Sequence, residues 1–339
     1  MNIQINYLCC PWNTITFRMM LCILLEENDP NFCLSAEEFL LKNYEEDIFM
    51  IWQSCDSVVI GKHQNALAEI NYRYVRENGI KVARRISGGG TVFHDPGNVN
   101  FSFLKRFDNP QEVSFNVFTR PIVTALQELG VNAETSGRHD LVVKGRKISG
   151  NAEHIYKNRV LHHGTLLFDS DLKNLGNAIR VIPGKYRGKA VESIRSVVAN
   201  ISEFLPIPLP KGDFIMHIVK ILKSIFPDVV DFQIPENEKE KIRILSCQKF
   251  ETPEWQFGYS PGYTFSNVLK SMNRDLSIEL SVEKGIIRTA RLSGSFYSIK
   301  EIKQLETLLI GKFHLYETID SVYQLLGFQA DNDLIYSYF

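Results

Sequence analysis

Residues 84–95 read Arg84-Arg85-Ile86-Ser87-Gly88-Gly89-Gly90-Thr91-Val92-Phe93-His94-Asp95, a short strand running into three glycines and out into a second apolar run. Glycine has no Cβ, so a triple-glycine turn lets backbone N–H groups come close to an anion such as a phosphate. Arg85 beside it offers a bidentate clamp for phosphate or carboxylate. On its own such a turn is as readily a tight connection as an anion cradle. It is not the GxxxxGK[ST] loop of Walker-type NTPases, and Gly61-Lys62-His63 lacks that frame as well.

Further along stand Ser136-Gly137-Arg138-His139-Asp140, then Lys147-Ile148-Ser149-Gly150-Asn151-Ala152, then His162-His163-Gly164-Thr165. Lys147 follows a Lys144-Gly145-Arg146 turn at the start of a predicted strand, a rigid place from which to aim one ammonium. By local sequence alone, a solvated strand lysine is the simpler reading. Adjacent histidines on a strand point to opposite faces, so His162 and His163 are not expected to grip one metal together.

Around these stretches the pattern alternates helix and strand. Residues 20–25 (MLCILL), 49–52 and 57–60 are short apolar runs that predict buried strands. Residues 35–41 predict a helix opening on a capping box with Ser35 at its N-cap. Residues 72–77 predict a helix closed by Gly79. Val99, Phe101 and Phe103 alternate with Asn100 and Ser102, the period of a half-buried strand. Phe118, Ile122, Leu126 and Leu129 mark a helix face on which Pro121 implies a start or a kink. A strand meander follows through 140–168, and Ile215, Ile218, Val219, Leu222 and Phe226 mark another helix. The charged residues 236–243 leading to 250–253 read as a linker. Beyond them, strands at 277–282 and 286–292 and a helix face of Ile299, Ile302, Leu305, Leu308 and Leu309 make a small α+β unit.

The chain has 339 residues, 44% hydrophobic and 23% charged, which suits two domains of ordinary size. A formal net charge of -1 gives no overall electrostatic footprint for nucleic acid. Six cysteines without paired CxxC units predict free thiols rather than a zinc site or a disulfide framework. The apolar run at 15–25 is interrupted by Arg18 and falls short of the ~20 residues a membrane helix needs. Residues 1–17 carry no Lys or Arg, unlike a secretory leader. The expectation is a cytoplasmic protein with neither nucleic-acid nor membrane partners.

The patterns RRxSGGGxVxHDxGN, SGRxDL, KxSGxA and HHGTLL occur here in that order. In this the chain resembles the lipoate-protein ligase A family of the biotin and lipoate ligase superfamily. The likeness begins near Met20, takes in residues 49–52 (FMIW) and 59–65 (VIGKHQN), and reaches residues 255–258 (WQFG). It implies an α/β catalytic domain of the class II synthetase-like fold at 20–246, a small accessory α+β domain at 250–339, and an N-terminal extension at 1–19. Residues 1–18 lie outside the likeness, so Met19 or Met20 is a candidate initiator and deletion of 1–18 is expected to leave activity intact.

The implied reaction has two steps: lipoate is adenylated by ATP to lipoyl-AMP, and the lipoyl group then passes to a specific lysine of a carrier protein. Lys147 matches the family's catalytic lysine. Arg85 and the run Gly90, Thr91, Val92 and Phe93, with Gly88 and Gly89 shaping the loop, fall where the family binds ATP and the adenylate. Arg85, Ser87 and Lys147 fall toward the lipoate carboxylate, and Asp140 stands where Mg²⁺ would be held on the phosphates. The implied carriers are the lipoyl domains of dihydrolipoamide acyltransferase subunits and the glycine-cleavage H protein, served by a monomeric enzyme whose C-terminal unit rotates after adenylation. The chain departs from the family at His139, where asparagine is common, and at His154 and Val197, where arginines stand. Fewer cations there put acyl affinity and preference in doubt more than activity.

Competing readings are weaker. Biotin ligases carry an arginine-richer GRGRxGR-like loop, absent here. Octanoyl transferases use a cysteine thioester, and no cysteine lies between Cys55 and Cys247. A lipoyltransferase that uses preformed lipoyl-AMP, and a non-catalytic lipoate-binding paralogue, are the remaining alternatives. His163-Gly164-Thr165 and the attached C-terminal unit favour the full ligase over the first, and the presence of Lys147 disfavours the second.

Overall fold

The computed structural model describes residues 19–339, apart from 138, 139, 180–182, 227, 272 and 273. The expected N-terminal extension through Arg18, and Arg138 and His139 of the second motif, lie outside the described residues. β1 (Met20–Leu24) leads to α1 (Pro30–Asn43), β2 (Asp47–Trp52) and β3 (Ser57–Ile60). The short helices α2 (Ala66–Glu69) and α3 (Tyr72–Glu77) precede β4 (Lys81–Arg84), β5 (Val92–His94) and β6 (Asn98–Arg106). After α4 (Asn116–Glu128) comes a meander of β7 (Glu134–Ser136), β8 (Asp140–Val143), β9 (Arg146–Tyr156) and β10 (Arg159–Leu167). Then follow α5 (Leu172–Ala178), β11 (Tyr186–Gly188), α6 (Lys211–Ile225), β12 (Val229–Asp231) and α7 (Glu236–Leu245). The C-terminal part holds β13 (Tyr263–Ser271), β14 (Arg274–Glu283), β15 (Ile286–Gly294), α8 (Ile299–Leu309), α9 (Tyr316–Leu325) and α10 (Asn332–Tyr336).

Eight strands form one mixed sheet in the order β12-β1-β2-β6-β10-β9-β8-β7. Strand alternation sorts its faces. Phe49, Ile51, Val99, Phe101 and Phe103 pack with Phe118, Ile122 and Leu126 of α4 and Ile218 and Leu222 of α6. Ile48, Met50, Trp52 and Leu104 turn the other way, onto Leu34, Leu40 and Leu41 of α1 and Ile242 of α7. With both faces covered, β6 is not half-solvated as its alternation suggests. Asn100 and Ser102 are 2% and 0% exposed. Ser102 faces α1, where its hydroxyl donates to Glu37 and accepts from Trp52 Nε1.

Three expected elements differ in detail. α1 begins at Pro30 rather than after Ser35: Asp29 caps it, accepting from Asn31 N and Phe32 N at 2.9 Å, and proline at the first position supplies a helical φ. Ser35 lies inside the helix and bonds back to Asn31 O. Pro121 sits within α4, which starts at Asn116. The stretch expected as a linker is helical: α7 continues into π-helical turns at Ser246–Phe250 and Glu254–Gly258, and Ile242, Phe250 and Trp255 are buried against α1.

Two further sheets carry the remaining strands, β4-β3-β5 and the antiparallel β11-β13-β14-β15. They share one core, in which Val58, Ile60, Tyr72 and Phe93 meet Phe265, Ile278, Leu280, Leu305 and Tyr323. β11 pairs with β13 although it precedes α6 in the chain. The boundary drawn near residue 250 therefore falls between segments whose side chains pack in one cluster.

Candidate functional site

The glycine loop leaves β4 between two buried arginines. Arg84 donates to the carbonyls of Gly61, Lys62 and Gln64, to those of Trp255 and Gln256, and to Ser260 Oγ. Arg85 turns into the loop and donates to Val59 O at 3.0 Å, Gly88 O at 2.7 Å, Gly90 O at 2.6 Å and Ser87 Oγ at 3.0 Å. Burial lowers each guanidinium to a pKa of about 10, so both stay charged at neutral pH. In this structure Arg85 holds the loop's own carbonyls, which fixes where the loop amides point. Gly89 has φ +86°, the left-handed region that favours glycine. A Cβ on Gly61 would lie 2.0 Å from Gly89 O, so the turn beneath the loop needs glycine too.

A cavity of about 670 Å³ opens beside the loop. Of the residues singled out from sequence, Arg85, Gly89, Gly90, Thr91, Val92, Asp140 and Lys147 line it; Ser87, Gly88 and Phe93 do not. Ser87 is buried behind the wall, and the Phe93 side chain belongs to the core shared with the C-terminal unit. Lys147 extends from the start of β9 and places its Nζ 2.8 Å from Asp140 Oδ1. Its backbone is pinned on both sides, N donating to Val197 O at 2.8 Å and O accepting from Ala199 N at 3.0 Å. Gly150 leaves room for the ammonium, since a Cβ there would come within 3.0 Å of Lys147 Cε and Nζ.

A buried chain of hydrogen bonds runs from the loop to α1. Ser87 Oγ is 2.6 Å from His163 Nε2, and His163 Nδ1 is 2.9 Å from Glu37 Oε2 on α1. His162 faces the opposite side of β10, stacked on Phe118 with ring centroids 4.6 Å apart, as the alternation requires.

At the other end of the loop, Ser193 bridges several segments. Its Oγ accepts from Thr91 N at 2.9 Å and from Gln64 Nε2 at 3.0 Å, and donates to Glu69. Gln64 Oε1 in turn accepts from Thr91 Oγ1 at 2.9 Å. Burial raises the Glu69 carboxyl above its usual range. Sequence reasoning missed Glu37, Gln64, Glu69 and Ser193 as site residues. For Glu37 the one signal was a carboxylate on an otherwise apolar helix face.

Of the departures, Val197 is 73% exposed and serves Lys147 through its carbonyl, a contact indifferent to its side chain. His154 is half-buried on β9, and burial lowers its pKa. Among the described residues, no group of three or more His, Cys, Asp or Glu could hold a metal by itself, and no cysteine lines the cavity. No helix among them is long and apolar enough to cross a membrane.

The family profile described as "Lipoyl protein ligase A/B catalytic domain" matches residues 29–223. The chain is 41% identical over 312 residues to "Lipoate--protein ligase 1" of Staphylococcus aureus, covering 90% of this chain and 94% of that one. It is 40% identical over 292 residues to "Lipoate-protein ligase LplJ" of Bacillus subtilis, covering 84% and 87%. Among solved structures, P. falciparum LipL1 in complex with lipoate superposes with a TM-score of 0.61 at 25% identity, covering 93% of this chain and 97% of that one. A lipoate-protein ligase A bound with ATP gives a TM-score of 0.61 at 26% identity, covering 71% and 99%. An α/β sheet with a lysine and a glycine loop on one cavity, joined to a C-terminal α+β unit, is the build of an acid-activating ligase. The chain belongs to the lipoate-protein ligase family and is an enzyme of that type.

Proposed function

We propose that this cavity adenylates lipoate with ATP and then delivers the lipoyl group to a lysine of a lipoyl-domain carrier. The observation that carries the reading is one ammonium, Lys147, set on the cavity wall facing the glycine loop and steadied by Asp140. In the first step two anions must meet: the lipoate carboxylate attacks the α-phosphorus and pyrophosphate leaves. A fixed cation touching both lowers the cost of that approach and of the charge that develops. Lys147 is that cation. Its pinned backbone supplies the preorganisation such a role needs. In the second step the carrier amine attacks the acyl carbon, the amide forms and AMP departs.

The remaining roles follow from the family resemblance. Backbone N–H groups of Gly90, Thr91, Val92 and Phe93 hold the nucleotide, on a loop shaped by Gly88 and Gly89 and held by Arg85. Arg85 and Lys147 reach toward the lipoate carboxylate, and Ser87, buried behind the wall, serves that end through its bond to the Arg85 side chain. Asp140 suits Mg²⁺: a single, partly exposed carboxylate is the donor set for an octahedral ion that arrives with phosphates and keeps several waters. Bound there, the ion would neutralise phosphate charge. The proposed carriers are dihydrolipoamide acyltransferase lipoyl domains and the glycine-cleavage H protein, the proposed setting is the cytoplasm, and the enzyme acts as a monomer.

The test is the mass of an apo lipoyl domain after incubation with this protein, ATP, Mg²⁺ and lipoate, expected to rise by one lipoyl group. Lipoate-dependent ATP–pyrophosphate exchange separates this reading from a transferase of preformed lipoyl-AMP, which would lipoylate only from the adenylate.

A further inference from the structure

Glu37 is a buried carboxylate, 0% exposed, on the helix that packs Leu34, Leu40 and Leu41 against the sheet. Burying a charge is costly unless it is paired and hydrogen-bonded. Both Glu37 oxygens lie within 3.0 Å of His163 Nδ1, and Oε1 also accepts from the Ser102 hydroxyl. Among the described residues, no lysine or arginine forms an ion pair with Glu37. The cation whose charge it meets is Arg85, 5% exposed, with His163 and Ser87 between them.

The proton on each link has one direction. A guanidinium only donates, so Ser87 Oγ accepts from Arg85 Nε. The one other bond of that hydroxyl among the described residues is to His163 Nε2, which therefore receives the Ser87 proton. With Nε2 an acceptor, His163 carries its own proton on Nδ1 and donates it to Glu37. Four side chains thus run from a buried anion to the buried cation that holds the Gly88 and Gly90 carbonyls. Burial lowers the Arg85 pKa to about 10, and the Glu37 charge works against that fall. Serine, histidine and carboxylate in series form the triad of many hydrolases, but a nucleophile must meet its acyl carbon, and Ser87 does not line the cavity.

We propose that Glu37 and His163 are positioning residues for adenylation: acting through Ser87, they keep Arg85 seated in the glycine loop and so set the backbone amides that grip ATP. The inference rests on the reading above in which those amides hold the nucleotide. Without Glu37, Arg85 becomes an uncompensated buried cation, the costly case, and it is relieved by swinging out into the cavity it lines. The loop then loses its clasp on Gly88 O and Gly90 O, and its amides no longer keep one geometry.

The experiment is lipoate-dependent ATP–pyrophosphate exchange by the full-length protein, as wild type, Glu37→Gln, Ser87→Ala and the double variant. Each single change should raise KM for ATP by at least about fivefold, the weight of one ordinary hydrogen bond. The double variant should stand within about twofold of the weaker-binding single one, because residues acting in one chain do not add. An unchanged KM for ATP in the folded single variants, with only kcat reduced, marks a purely structural role and overturns the proposal, as do effects that multiply in the double variant. The His163 imidazole ¹⁵N resonances of the wild type need no variant to fold: they should show the proton on Nδ1 and a bare Nε2, and a proton on Nε2 refutes the chain. No exchange by the wild type would instead sink the ligase reading, while the resonances still decide on the chain.

Discussion

At the residue scale, Lys147→Ala should leave a folded protein, checked by circular dichroism, whose lipoate-dependent exchange falls by roughly 10²–10³. Unchanged exchange would remove the lysine from the mechanism. Arg84 makes a contrasting case. It does not line the cavity, yet its guanidinium joins the turn at Gly61 to Gln64 with the one at Trp255 and Gln256. Arg84→Met should cost about 3–5 kcal/mol in urea unfolding, because several buried carbonyls lose their donor at once. The cavity-lining residues legible in the sequence are those that stand close together in it: Arg85 with Gly89 to Val92, and Lys147 with Gly150. Glu37, Gln64, Glu69 and Ser193 come from two helices, a turn and a distant loop, so nothing local marks them as neighbours.

At the scale of elements, the helix starts show which local signals win. Asp29 with Pro30 outcompetes the capping box at Ser35, because a cap followed by proline satisfies the first amides and presets φ together. Asp29→Ala should destabilise the fold by about 1 kcal/mol, whereas Ser35→Ala should not behave as a cap deletion. Thermal melting of both variants compares them directly. β6 teaches the reverse lesson. The alternation marks the strand, but a polar stripe on it does not say whether it faces water or the interior, and Asn100 and Ser102 are buried, with Ser102 bonded to Glu37 of α1. α7 is not legible as a packed helix in the sequence, because its charges hide a short buried contact at Ile242 that only α1 completes.

At the scale of the molecule, the C-terminal unit shares its core with β3, α3 and β5, and takes β11 as its edge strand. The rotation implied by the family resemblance would have to part that core and break the β11–β13 ladder. Small-angle scattering with and without lipoyl-AMP tests it; an unchanged envelope counts against the swing. Acid should weaken the whole fold. Burial holds His94 and His314 neutral, with pKa values of about 3 and about 4, so both favour unfolding once pH drops below the unfolded value of 6.5. Glu153, raised to about 7 by burial, works the other way, binding a proton in the folded state that the unfolded chain releases above 4.5. Between pH 4.5 and 6.5 these three groups leave the unfolded chain one proton richer, two histidines against one glutamate. These three groups should therefore contribute a loss of about 1.4 kcal/mol for each pH unit lost in that window, which Glu69, raised by burial, partly offsets. Urea titrations at pH 6.5 and 5.5 measure the slope, and a flat result would contradict it.

The Ser193 hydroxyl, which accepts from Thr91 N, acts as a placeholder. On the proposed reading, a nucleotide oxygen arriving at that amide trades places with a serine and does not meet a bare donor. Only the difference between the two bonds counts toward affinity, so the segment carrying Ser193 must let go of the loop before a triphosphate can be gripped there.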